Sequence, residues 1–190
     1  MATAESYGSP HRRPHPLGDD SEVIEAPHCR RSTAEEVAYH EAGHVVVGHR
    51  LGLDLVDVDV LSDREGGHGH TNFRPPAWFA REGPLDQRGR EFAGAVVVTF
   101  LAGTVAEARH AGFANGDAGG FDLDAVVREW LLLVGTPAEV ENLLTALDAR
   151  ARQNVGDPTN WAAIEKLAAA LRRQRRMTVG QALAAAGLAA

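Results

Sequence analysis

Cysteine and lysine are almost absent from this chain of 190 residues, with one of each. A single Cys, Cys29, excludes an internal disulfide and a cysteine-rich zinc site. The single Lys, Lys166, lies in AAIEKLAAA with no glycine loop before it. A phosphate-cradling loop needs Gly-x-x-x-x-Gly-Lys-Ser/Thr, so an ATPase site of that kind is excluded. No uninterrupted apolar run approaches the length of a membrane-spanning helix. The first twenty residues, MATAESYGSPHRRPHPLGDD, lack the apolar stretch of a secretory signal. These absences lead to the expectation of a soluble, cytoplasmic protein.

What is present is ordinary for a globular chain: 44% hydrophobic and 24% charged residues. The length suits one domain, or one domain with a tail. The net charge of −7 is unevenly spread. Residues 32–144 hold eighteen acids against eight Arg, whereas residues 145–190 hold three acids against six Arg and Lys166. An acidic body does not suit nucleic acid, whose affinity comes largely from neutralising phosphates. The run Arg172, Arg173, Arg175 and Arg176 could contact nucleic acid, but cations also favour the negative end of a helix, and that simpler reading is preferred.

Residues 1–31 are rich in Pro, His and charge without apolar periodicity, and read as a flexible leader. A domain over 32–190 follows. Ser32 and Glu35 make a capping-box pattern that opens a helix running to about Arg50 and stopping near Gly52. Residues 55–61 alternate apolar and acidic, and HGHTNF returns after a turn, which makes a hairpin with Asp57 and Asp59 on its solvent face. Residues 87–111 carry a helical stripe of Phe92, Val96, Thr99, Phe100 and Gly103. A glycine-rich loop, GFANGDAGG, precedes a helix from Phe121 or Asp122 to Val134. Thr136-Pro137-Ala138-Glu139 is a second capping box, opening a helix with Val140, Leu143, Leu144 and Leu147 on its apolar face. WAAIEKLAAALRRQRR and a short helix over about 178–187 complete a mainly α architecture with one small hairpin. Trp78, Trp130 and Trp161 are expected to serve packing.

The chemistry-bearing segment is His40-Glu41-Ala42-Gly43-His44. On a helix, positions i and i+4 share a face, so both imidazoles can reach one metal ion. Glu41 beside them can hold a water and take its proton. This is the zinc metalloprotease spacing His-Glu-x-x-His. A catalytic zinc takes three protein ligands and keeps one position open, so a third ligand must come from elsewhere. His49 is on another face of the helix, and His68 and His70 sit on the hairpin, whose edge suits peptide pairing better than ligation. Glu107 continues an apolar stripe, and a buried carboxylate is costly unless it is paired or bound to metal. Asp122 follows a glycine loop at a helix start, where a carboxylate is easily aimed. Both carboxylates are possible on these grounds.

The segment AYHEAGHVVVGHRLG resembles the zinc-binding helix of the FtsH-type ATP-dependent zinc metalloproteases. LVDVDVL with GHGHTNF resembles that family's hairpin, FLAGTVAEARHAG its Leu-Gly-Gly-Arg-Ala-Ala-Glu-Glu helix, and GGFDLDAVVREW its Ser-Asn-Asp-Leu stretch. WAAIEKLAAALRRQRRMTVGQAL resembles its closing helices, so the likeness runs over about residues 32–190 in order. The resemblance implies His40, His44 and Asp122 as zinc ligands, Glu41 as general base, and Glu107 as a carboxylate supporting the histidines from behind. Thr104 stands where the family has Arg, Ala108 where it has a second Glu, and Gly120-Phe121 where it has Ser-Asn. The family's ATPase ring and membrane anchors are not expected in this chain, whose likeness is to the peptidase half alone.

The implied function is a zinc endopeptidase acting on unfolded or flexible segments of a polypeptide substrate. The substrate would pair as an added strand near Gly69, His70 and Thr71. A separate ATPase that feeds it and a homo-oligomer remain open as partners; nucleic acid and a membrane segment are not expected. The alternative is a zinc-binding regulatory or interaction module with little or no turnover.

Overall fold

The computed structural model describes residues 32–63, 66–79, 85–113, 130, 136 and 139–188. Among the described residues the fold is mainly helical with one small antiparallel sheet. In chain order the elements are α1 (Ala34–Arg50), β1 (Asp54–Asp63), β2 (Gly66–Arg74), α2 (Gln87–Ala111), α3 (Val140–Gly156), α4 (Pro158–Arg173), β3 (Arg176–Thr178) and α5 (Val179–Ala186). The expected 1–31 leader, the GFANGDAGG loop beyond Phe113, and the helix after it apart from Trp130 lie outside the described residues.

The helix that carries His40 begins one residue later than the Ser32/Glu35 pattern predicts. Thr33 is its N-cap: the Thr33 hydroxyl accepts from the Glu36 amide at 3.2 Å, and the Glu36 carboxylate accepts from the Thr33 amide at 2.7 Å. Ser32 and Glu35 are taken by tertiary contacts instead. The Ser32 hydroxyl donates to Glu107 at 2.5 Å, and Glu35 accepts from Arg172 at 2.7 Å. α1 ends at Leu51, and Gly52 follows with a φ of 77°, a left-handed conformation that suits glycine.

α2 spans the expected residues. Asp86 caps it by accepting from the Gly89 amide at 2.7 Å, and Gly112 closes it with a φ of 81°. An 18-residue window in α2 has a mean hydropathy of 1.4, long and apolar enough to cross a membrane by composition, although no single apolar run reaches that length. Here 67% of that window is buried within the fold, against α1 on one side and α3 on another. Val96, Val97, Val98, Ala102 and Ala106 of α2 and Ala38, Ala42, Val46 and Val47 of α1 belong to one core of fully buried side chains. The two backbones approach closely at Gly43, where a Cβ would lie 2.7 Å from the Ala102 carbonyl oxygen.

The sheet order is β2-β1-β3, with both pairings antiparallel. β3 adds a third strand to the expected hairpin. Three residues are too few to show a period of two, and its identity comes from the partner: Val58 pairs with Met177, and the Val60 amide donates to the Arg175 carbonyl at 2.7 Å. This added strand also corrects the expectation for Asp59. It lies between His70 on β2 and Arg176 on β3 in the register, and is 6% exposed rather than on an open face. Its Oδ2 accepts from Arg176 at 3.3 Å, and its Oδ1 has no partner. Asp57 is half-buried.

α3 starts at Val140, later than the expected capping box. Glu139 reaches back to the Thr136 amide at 2.8 Å and hydroxyl at 2.7 Å, but no side chain caps the helix itself. α4 starts before Trp161, because Asp157 caps the Thr159 and Asn160 amides, both at 2.9 Å, and Pro158 fits the first turn. Ile164, Leu167, Ala168 and Leu171 point wholly inward, as their spacing requires. Trp130 is buried against Phe73, Phe79 and Phe92. Trp161 stacks on Tyr39 beneath Arg109, while Trp78 is 42% exposed under Arg88.

Candidate metal centre

His40, Glu41 and His44 lie on one stretch of α1, and each offers a ligand atom within 4.8 Å of the others. His44 and Glu41 are buried and His40 half-buried. The imidazole rings meet edge to face, with centroids 4.6 Å apart. Three polar side chains packed on the buried side of a helix carry a desolvation cost, so each must find partners.

Both histidines find theirs through Nδ1. Nδ1 of His40 is 2.9 Å from Glu107 Oε2, and Nδ1 of His44 is 2.7 Å from the Thr99 carbonyl oxygen. A carboxylate and a carbonyl can only accept, so Nδ1 carries the proton in each ring. In the neutral imidazoles this leaves the lone pair on Nε2, the arrangement that metal-ligating histidines adopt. Glu107 is 2% exposed, with its other oxygen taken by Ser32, so its carboxylate is engaged at Nδ1 of His40 and not beside Nε2. The ring of His44 lies against α2 because position 103 is glycine. A Cβ there would come within 2.6 Å of His44 Nε2. Phe100 meets the same ring edge to face at 5.9 Å.

The surroundings push the two histidines apart. Burial, helped by the neighbouring His40, lowers the His44 pKa from 6.5 to about 3 against the opposing bond to Thr99, so His44 is neutral. Burial also acts to lower that of His40, but the bond to Glu107 and the charges of Glu41 and Glu107 outweigh it and raise the pKa above 6.5. Burial raises the Glu41 pKa, opposed by His40, Thr71 and His70. A carboxylate held above its usual range is the better proton acceptor near neutral pH.

β2 lies across Glu41. The Thr71 hydroxyl donates to Glu41 Oε2 at 2.7 Å, and Gly69 leaves room for the carboxylate, since a Cβ there would lie 2.5 Å from Glu41 Oε1. Strand alternation then puts His70, which is exposed, on the opposite face of the sheet. Of the three residues expected to meet substrate, the positions of Gly69 and Thr71 face Glu41 and the side chain of His70 does not. β2 pairs only with β1, so its outer edge is unpaired among the described strands.

Asp122 and the His68 side chain lie outside the described residues. His49 is half-buried and does not join the His40, Glu41 and His44 group. Sequence reasoning missed Thr99 and Ser32. Thr99 contributes through its backbone carbonyl, which no side-chain pattern reveals, and Ser32 was assigned to a cap. No family model matches the chain, and no curated protein matches it significantly.

Proposed function

We propose that this chain is a zinc metalloendopeptidase that hydrolyses peptide bonds in unfolded or flexible protein segments. The observation that carries this reading is the pair of histidines with Nδ1 held by Glu107 and the Thr99 carbonyl, grouped with Glu41 so that one ligand atom of each lies within 4.8 Å of the others. This donor set fits a borderline-soft ion such as zinc. His40 and His44 would hold the metal, with Asp122 as third ligand on the strength of the resemblance to the FtsH-type proteases. When bound, zinc supplies a Lewis acid that polarises a carbonyl and lowers the pKa of water.

The protein's own groups do the rest. Glu41 takes the proton of the attacking water and passes it to the leaving amine, and the Thr71 hydroxyl holds the carboxylate in place between the two events. Ser32 and Glu107 keep the His40 ring in one orientation. The edge of β2, unpaired among the described strands, offers main-chain hydrogen bonds to an extended peptide, which aligns its backbone alongside Glu41. An extended backbone with free N–H and C=O groups is supplied most readily by an unfolded or flexible segment, which supports that substrate class.

The test is cleavage of an unfolded casein-type substrate by the wild type and by Glu41→Gln. Chelator-sensitive cleavage is expected from the wild type. Glu41→Gln keeps its metal and loses activity by on the order of a hundredfold or more. A wild-type protein that binds zinc without cleaving points instead to a binding or regulatory module.

A further inference from the structure

We propose that residues 19–26, DDSEVIEA, dock in the groove between α4 and α5, tethering this acidic stretch to the basic end of the same chain. The groove has a volume of about 430 Å³; Ala170, Ala184 and Ala185 form its apolar wall, with Arg173, Gln174 and Gln181 around it. Met177 closes the floor and is itself buried.

Charge selects the occupant. From residue 166 to 190 there are five cations, Lys166, Arg172, Arg173, Arg175 and Arg176, and no Asp or Glu. Arg172 is paired with Glu35 and Arg176 with Asp59. Among the described residues, Lys166, Arg173 and Arg175 have no carboxylate within ion-pairing distance. Lys166 Nζ stands beside Gly187 at the C-terminal end of α5, and Arg173 stands at the C-terminal end of α4, so cations flank the groove at separate points. Residues 16–27 carry Asp19, Asp20, Glu22 and Glu25 with no Lys or Arg, and set Val23-Ile24 between two of those acids. That pattern offers branched apolar side chains for an alanine wall and carboxylates for the cations around it.

The point of attachment favours the same occupant. The chain enters the fold at Ser32, and Glu35, three residues on, is bound to Arg172, the neighbour of Arg173. Glu35 of α1, close to where the described chain begins, is thus held at the last turn of α4, next in sequence to the groove residue Arg173. From Ile24 to Ser32 an extended chain covers about 26 Å. α4, with 16 residues, is about 24 Å long. The tether between Ser32 and Val23-Ile24 is thus about as long as α4 itself. A short tether also gives a high effective concentration, so a few screened ion pairs and two buried side chains suffice.

The experiment uses the full-length chain with Cys29→Ser, which removes its only thiol, and Ser21→Cys carrying a nitroxide label. Amide signals of Ala170, Arg173, Gln174, Gln181 and Ala184 are expected to broaden. The broadening is expected to disappear in Arg173→Glu with Arg175→Glu, and in about 1 M salt, where the Debye length is ~3 Å. Both arginines are exposed, so the fold is checked by the unchanged remainder of the spectrum. Adding Glu22→Arg and Glu25→Arg to the reversed pair should restore the broadening. Broadening confined to residues near Ser32, or groove broadening indifferent to charge reversal, would overturn the proposal. Neither result depends on peptidase activity.

Discussion

His40 and His44 are one helical turn apart, yet burial drives the His44 ring toward its neutral form while Glu107 and Glu41 hold the His40 ring toward its charged one. His44 faces a backbone carbonyl in a buried setting and holds its neutral form down to about 3, whereas His40 faces a carboxylate and is raised above 6.5. The consequences for stability have opposite signs. Between pH 6.5 and about 3 the unfolded chain takes a proton on residue 44 that the folded chain refuses, so this residue's share of stability is complete above 6.5 and lost as the pH falls toward 3. The share from His40 is present below 6.5 and lost as the pH rises through its folded value. Nitrogen NMR of the metal-free protein should show His44 neutral and protonated on Nδ1 well below pH 6, with His40 still charged above 6.5; two rings titrating together near 6.5 would contradict this. Glu107 acts through the same contact. Glu107→Ala is expected to weaken zinc binding roughly ten- to a hundredfold by freeing the His40 ring, as read by competitive zinc titration. The spacing of the histidines was legible in the sequence, and the inward stripe pointed to Glu107. The Thr99 carbonyl was not legible, because a backbone acceptor has no letter of its own.

At the scale of elements, periodic patterns predicted most of what formed. Misreadings fell where a local pattern competed with a tertiary contact. Ser32 could have capped α1, but its hydroxyl is committed to Glu107, and the cap moved to Thr33. Asp59 looked like the polar half of an alternating strand until β3 paired alongside it. The hairpin itself was legible from its alternation, and its use is tied to one missing side chain. Gly69→Ala would place a methyl 2.5 Å from Glu41 Oε1, so either β2 or the carboxylate must shift. Zinc content should be unchanged, because no proposed ligand lies on β2. Peptidase activity should fall by on the order of a hundredfold, since displacements near 1 Å at a reacting centre cost that much. Full activity in this variant would mean that the strand does not hold Glu41 in its working position.

The whole molecule joins an acidic body to a basic end, and both were readable from composition. The mainly α class and the helix carrying the histidines were readable too, because a 3.6-residue period and glycine stops are local signals. How α1, α2 and β2 converge was not, since Glu107 and Thr71 reach the site from positions 67 and 30 residues away from their partners in sequence. That convergence builds the site: two imidazoles oriented from behind, and a carboxylate held beside them by β2, whose outer edge is unpaired among the described strands. Elemental analysis of the purified chain is the most direct test. One zinc per chain is predicted for the wild type and for Glu41→Gln, with zinc lost in His40→Ala and in His44→Ala while the helical fold persists. A carefully prepared wild-type protein that holds no metal, or zinc retained in both histidine variants, would contradict a metal centre on α1.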